Sequence, residues 1–457
     1  MITALALAFA LAAPPPAASG EGEPRAWTLE ALTAAAQAAD PRVLSAAAEL
    51  ARVRGVEAEA RAGSRPSLEW ILSGEGPVPQ LENDPSRLDA VNPPSRLRNG
   101  ELGRVGVHTH FGANLSWPVY TFGRLDAFET AAARGVLATT GTAQAARARA
   151  AREAAEIYWG YQLARRGIMA LEETDRQLAG AKEHVEKMLA GGSSRASKQD
   201  VAQLDHVRAG LATRRAEVSA ARELALEAAR TVAGVPSDAP FALVAGTVEL
   251  PAVQVAPLTR YLEAAQVHRP ELAAAQETLR AREAVLLAGQ RSWYPELVVT
   301  GSVDLNWTGS TTPQTNPFAW DPYNRLWAGL GLALRGKLDP WRTRAEVAQE
   351  EAQVERARAE AEVAARGVRL EVARAHSALR AALERAARLR EEEAAARRWL
   401  SQAELAFDEG LSDPQSVLLA ALATARAGAE RLAAARDAQL ALADLAVAVG
   451  EDPRTVK

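Results

Sequence analysis

The sequence predicts a mainly α-helical chain that also carries four membrane-type β-strands, arranged as two structural repeats. Three observations predict it. Pro41 and Pro66 match Pro270 and Pro295 at one offset of 229, which also relates Leu50 to Leu279 and Leu68 to Leu297; a constant offset is the mark of internal duplication. Arg124–Ala190 and Arg342–Asp408 each run 67 residues without proline, roughly 100 Å of helix at about 1.5 Å per residue, far beyond an ordinary globular helix. Four segments alternate apolar and polar residues with period two, the pattern of a strand with one greasy and one wet face.

The opening MITALALAFALAAPPPAASG is an apolar run followed by small residues, so residues 1–19 read as a signal peptide and the mature chain, starting at Gly20, as exported. In the first repeat, 20–234, a helix over 29–39 is interrupted at Asp40-Pro41, where proline cannot continue it, and a second helix covers 42–64. Strands are expected over 67–74 and 105–119, separated by the polar loop Gly76–Arg104. In Val105–Val119, the residues Val105, Val107, Phe111, Ala113, Leu115, Trp117 and Val119 share one parity, and Gly106, His108, His110, Gly112, Asn114 and Ser116 the other. Helices follow over 124–190 and 197–233. Tyr161, Ala164, Ile168, Leu171, Leu178, Val185 and Leu189 supply a 3-4 seam for antiparallel coiled packing.

A linker over 235–257 leads to the second repeat, 258–450, with helices over 258–268 and 271–292, strands over 296–307 and 326–335, and helices over 342–408 and 414–449. Val201, Leu224, Leu226 and Gly234 recur as Val417, Leu440, Leu442 and Gly450 at an offset of 216. A short tail, 451–457, closes the chain.

Composition excludes several classes. With 53 basic and 57 acidic residues and a net charge of -4, the chain has no basic field for nucleic acid. It has no cysteine, hence no disulfide, thiolate site or lipid-anchoring thiol. No nucleophile elbow, zinc-protease motif or phosphate loop is present, so no enzyme and no cofactor are expected. Past the signal segment no apolar run reaches the ~18 residues of a membrane helix; membrane contact falls to the strands, whose alternation and terminal tryptophans suit a membrane barrel. Four strands cannot enclose a lumen, and hydrocarbon does not tolerate an open edge, so several copies must share one cylinder. His108 and His110 fall on the polar parity and are expected to line the lumen, where they can tune selectivity with pH. A metal needs ligands about 2 Å from one ion, closer than symmetry mates across a wide barrel, so no metal site is expected. His184, His206, His268 and His376 lie on helices as packing or surface residues.

The repeated helix–proline–helix unit, the strands after Pro66 and Pro295, the long helices and the tip sequence EGLSDPQSV (Glu409–Val417) together make the chain resemble the TolC-type outer-membrane efflux proteins, from Trp27 to Gly450. The resemblance implies a homotrimer: a twelve-stranded barrel in outer-membrane lipid, continued by an α-helical tunnel through the periplasm of a Gram-negative-type bacterium. It would dock on a periplasmic adaptor (membrane fusion) protein and serve an inner-membrane pump as a passive exit duct for efflux or type I secretion. The resemblance places adaptor contacts at Gly191, Gly192, Ser193, Gly410, Leu411 and Ser412, although Glu409 stands where the family has valine. At the periplasmic constriction, Phe407, Ser412, Ser416 and Leu419 occupy latch positions, and Asp200 retains its acid. Phe407 has no hydroxyl and Ser412 no charge, so an apolar constriction by Leu418 or Leu419 is expected instead, behind an entrance made acidic by Asp408, Glu409 and Asp413. The competing reading is a periplasmic coiled-coil scaffold or adaptor without a barrel, which would have no use for paired alternating strands.

Overall fold

The computed structural model describes residues 26–79, 105–192, 196–309, 321 and 323–452. The expected signal peptide, the tip residue Ser193 and most of both inter-strand loops lie outside them. In chain order the elements are β1 (Ala26–Trp27), α1 (Leu29–Ala39), α2 (Pro41–Ala62), β2 (Ser67–Pro79), β3 (Val105–Tyr120), α3 (Arg124–Ala190), α4 (Lys198–Val232), β4 (Ala242–Leu243), α5 (Leu258–His268), α6 (Pro270–Arg291), β5 (Glu296–Thr308), β6 (Arg325–Arg335), α7 (Pro340–Asp408) and α8 (Pro414–Val449). Four helices begin on proline itself. The sequence reading started three of them one or two residues later, but the first helical position has no intrahelical partner for its N–H, so proline fits there. Among the described residues no helix is long and apolar enough to cross a membrane.

The described residues divide into two compact units. The first takes the residues up to Leu44, Ala146–His268 and those from Leu370 onward; the second takes Ser45–Ala145 and Arg269–Arg369.

The second unit holds an antiparallel sheet of order β2-β3-β5-β6. Its register aligns the apolar parities of all four strands: Leu72, Phe111, Leu305 and Leu326 form one row, and Trp70, Ala113, Val303 and Ala328 the next. Trp70 and Leu330 on this face are 68% and 82% exposed, a burial pattern inverted for water and proper for lipid. Pro118, which cannot donate to the ladder, sits at the irregularity between Pro118 and Tyr120 where the register with β5 shifts. The outer edges of β2 and β6 have no strand partner among the described residues.

The turn from β3 to α3 is unusually constrained. Phe122 has φ +51° and Gly123 φ +80°, the left-handed region that bulky side chains avoid. Phe122 is held there by rings, with Tyr120 at 4.8 Å and Tyr294 stacked at 5.4 Å. Thr121 then caps the helix by accepting the Leu125 N–H at 3.2 Å.

The first unit is helical. Its cores combine a few large residues, among them Leu32, Tyr158 and Phe241 in one cluster and Leu178, Val185 and Leu204 in another, with buried alanines such as Ala154, Ala229, Ala420 and Ala438. Alanine costs little conformational entropy in a helix and lets backbones approach closely. The segment between α4 and α5 is strapped down by polar contacts. Buried Gln162 donates to Val244 O at 2.7 Å and accepts from Gly246 N at 2.9 Å; β4 pairs in parallel with β1. His376 packs on Tyr261 and bonds Ala256 O at 3.1 Å. At the break between α1 and α2, Asp40 accepts the Arg42 backbone N–H and guanidinium, both at 2.7 Å. The guanidinium holds its carboxyl below the usual carboxylate range.

Gly123→Ala is expected to destabilise the chain by about 1–3 kcal/mol through backbone strain, whereas Gly55→Ala, mid-helix in open space, should stabilise it by about 0.5–1 kcal/mol. Thermal melts followed by circular dichroism of both variants check this ordering.

Candidate functional site

The opposite face of the sheet collects every charged side chain of the four strands. Read across the strands from the loop end, the rows are Glu75, His108 and Thr308; then Ser73, His110, Asn306 and Arg325; then Ile71, Gly112, Asp304 and Trp327; then Glu69, Asn114, Ser302 and Gly329. His110 Nε2 lies 2.9 Å from Asp304 Oδ2. The other carboxylate oxygen accepts from Arg325 Nη2 at 3.0 Å and from the Asn306 amide. His108 Nε2 is screened from solvent and has no hydrogen-bond partner among the described residues; its ring stands edge-on to Tyr323 at 5.9 Å. At the helix end, Glu296 accepts from Arg124 at 2.7 Å and Arg335 at 2.6 Å. Both histidines thus sit on the polar face, and the partners the sequence reading missed are Asp304 and Arg325. The signal was present, since Asp304 shares the polar parity and Arg325 directly precedes the expected strand, but pairing them with His110 required the register between β3 and β5.

The tips belong to the first unit. Gly192 and Gly410 both have φ +76°, the helix-ending geometry that glycine adopts without strain; Gly191 is not in that region. After α7, Leu411 N reaches back to Ala406 O at 2.7 Å and Gly410 N to Phe407 O at 2.9 Å. Leu411 is left 77% exposed. Ser412 Oγ and Ser416 Oγ are 3.0 Å apart, and Asp413 caps α8 by accepting Ser416 N at 3.0 Å.

Three of the expected constriction residues are engaged within the first unit. Asp200 belongs to a capping box, its carboxylate accepting both the backbone N–H and hydroxyl of Ser197 at 2.7 Å. Leu418 is buried in the core with Leu178 and Leu204; only Leu419, half exposed, is available to line a constriction. Phe407 packs against that core and meets the His184 ring edge-on at 5.3 Å. Beside them lies a cavity of about 280 Å³ whose walls include Leu178, Val185, Leu204 and Phe407. Among the described residues no acidic or histidine cluster could hold a metal ion.

Residues 261–451 match the family described as Outer membrane efflux protein. No curated protein matches the chain in sequence. Among solved structures, the chain is similar to CusC at 18% identity, with a TM-score of 0.72 over 93% of this chain and 92% of that one. It is similar to the VceC outer membrane protein of Vibrio cholerae at 19% identity, with a TM-score of 0.71 over 93% and 96%. It is also similar to the open MtrE outer membrane channel of Neisseria gonorrhoeae at 17% identity, with a TM-score of 0.71 over 93% and 89%. Likeness over nearly the whole of both chains shows that this chain has the fold these structures share. The match to the outer membrane efflux protein family takes in most of the second repeat.

The α3–α4 hairpin behind the first tip is tied by Arg208 to Asp175 at 2.8 Å and by Lys182 to Asp205 at 2.6 Å. Arg208 holds the Asp175 carboxyl below the usual carboxylate range. A depressed folded value means the pair's contribution is present above about pH 4 and is lost as pH falls through that lower value. The wild type should therefore lose melting temperature between pH 5 and pH 3. Asp175→Asn should begin lower at pH 7 and lose less, as thermal melts at the three pH values would record.

Proposed function

We propose that three copies of the chain form a passive exit duct in the outer membrane of a Gram-negative-type bacterium, extending into the periplasm and serving a tripartite efflux or type I secretion system. The observation that carries this reading is the sheet: one continuous apolar face, one face holding all the strand charge, and two edges unpaired among the described residues, in a chain whose second repeat matches the efflux family. The coiled-coil scaffold without a barrel fails on the same observation. It would leave Leu68, Trp70, Leu72, Leu326, Leu330 and Leu332, each more than 60% exposed, facing water.

In this reading the lipid-facing rows close into a barrel by β2–β6 pairing between copies. The long helices carry the lumen across the periplasm. The tips around Gly191, Gly192, Ser193, Gly410, Leu411 and Ser412 receive a periplasmic adaptor, through which an inner-membrane pump delivers its cargo. Leu411, held out by the glycine turn, is the apolar contact such a partner would cover. Leu419 provides the periplasmic constriction. As a passive duct it performs no bond-making step.

Detergent-purified protein should migrate as a heat-dissociable trimer and open conducting pores in planar bilayers. A monomer that forms no pore would overturn the reading. Within it, Leu419→Ala should raise the closed-state leak about two-fold or more by widening an apolar constriction, while Leu418→Ala should lower thermal stability and leave the leak unchanged.

A further inference from the structure

The loop end of the polar face carries more than scattered lumen charge. Its four outermost rows hold the carboxylates of Glu69, Glu75 and Asp304 against one guanidinium, Arg325. Among the described residues the fixed charge of these rows is therefore anionic. Into the same rows the sequence places two of the chain's six histidines. The other four, His184, His206, His268 and His376, are all on helices. Imidazole is the side chain whose ordinary charge change falls between pH 5 and 8. The inter-strand loops contain no histidine either, so within the barrel such a change rests on His108 and His110.

We infer that these rows form a charge-selective zone whose preference for cations is strong at neutral pH and weakens in acid as His108 and His110 take up protons. This rests on the exit-duct reading given above.

The two histidines act differently. His110 already contacts Asp304, so its proton converts that hydrogen bond into an ion pair. Asp304 then faces cationic groups on both sides, His110 from β3 and Arg325 from β6, and its field in the lumen is cancelled. His108 has Glu75 beside it on β2, Thr308 on β5 and the Tyr323 ring at its edge. Among the described residues no carboxylate hydrogen-bonds it, so its proton adds positive charge to the row. Each chain gains two charges and three chains gain six, concentrated in adjacent rows. Salt screens charges over about 10 Å at 0.1 M but about 30 Å at 0.01 M, so the effect in a wide lumen must grow as salt is diluted. For cargo, cationic molecules would be favoured at the rim in neutral surroundings, and anionic molecules would pass more readily in acid.

The test is the reversal potential of the full-length trimer in planar bilayers, under a KCl gradient between about 0.01 and 0.1 M, at pH 7.5 and pH 5.0. For the wild type the potassium-to-chloride permeability ratio should fall about two-fold or more in acid. The double variant His108→Asn, His110→Asn should conduct with a ratio that does not move with pH, and Asp304→Asn should lower the ratio already at pH 7.5. A wild-type ratio that is the same at both pH values, or a double variant that keeps the wild-type drop, overturns the inference while leaving the duct intact. A protein that forms no pore at either pH overturns the duct reading and this inference with it.

Discussion

The outer edges of β2 and β6 govern the rest of the structure. Each presents backbone N–H and C=O groups with no strand partner among the described residues, while the sheet between them keeps one apolar face. In water that face would aggregate, and in hydrocarbon each unsatisfied backbone group costs several kcal/mol. In the proposed duct one pairing resolves both, β6 with β2 of another copy until the cylinder closes in lipid. The turn of the polar parity to the inside and the need for more than one copy follow from it.

The helices solve a different problem. A conduit leaving the membrane must be rigid over a long distance without a globular core, and the chain does this with alanine. Buried alanines along α3, α7 and α8 bring backbones together with few voids, and the large residues gather at a few nodes: Leu32, Tyr158 and Phe241 near the strapped segment, and Leu178, Val185 and Leu204 near the tips. Charge is kept on the surfaces and paired locally; pairs such as Arg342–Glu346 and Arg356–Glu360 are exposed and each is worth little. What they provide is solubility along a long apolar seam.

Much of this was legible in the sequence because it is periodic. The duplication, the prolines that open helices and the period-two segments are local patterns, and local patterns survive without knowledge of the fold. Arg124–Ala190 spans as a helix the same residues that its lack of proline suggested. What could not be read depends on which distant residues meet. The capture of Asp304 by His110 and Arg325 needs the β3–β5 register. The division of labour between Leu418 and Leu419 needs the rotation of α8 about its axis, since neighbouring helical residues point about 100° apart. The left-handed Phe122 is sustained by Tyr294 from another part of the chain, and the buried Gln162 makes sense only when Val244 and Gly246 lie against it. The capping box of Asp200 with Ser197 is one that local sequence permits but does not compel.

The chain contains no cysteine, which gives the central claim a direct measurement. One cysteine is placed on the β2 edge, at Ser67, Glu69 or Ile71, and one on the β6 edge, at Gly329 or Gly331, and the pairs are oxidised in outer-membrane fractions. The account predicts that some pairs give a ladder of cross-linked species ending at three chains, with single-cysteine variants giving none. Material that stays monomeric for every pair, or that is found free in solution, would contradict it.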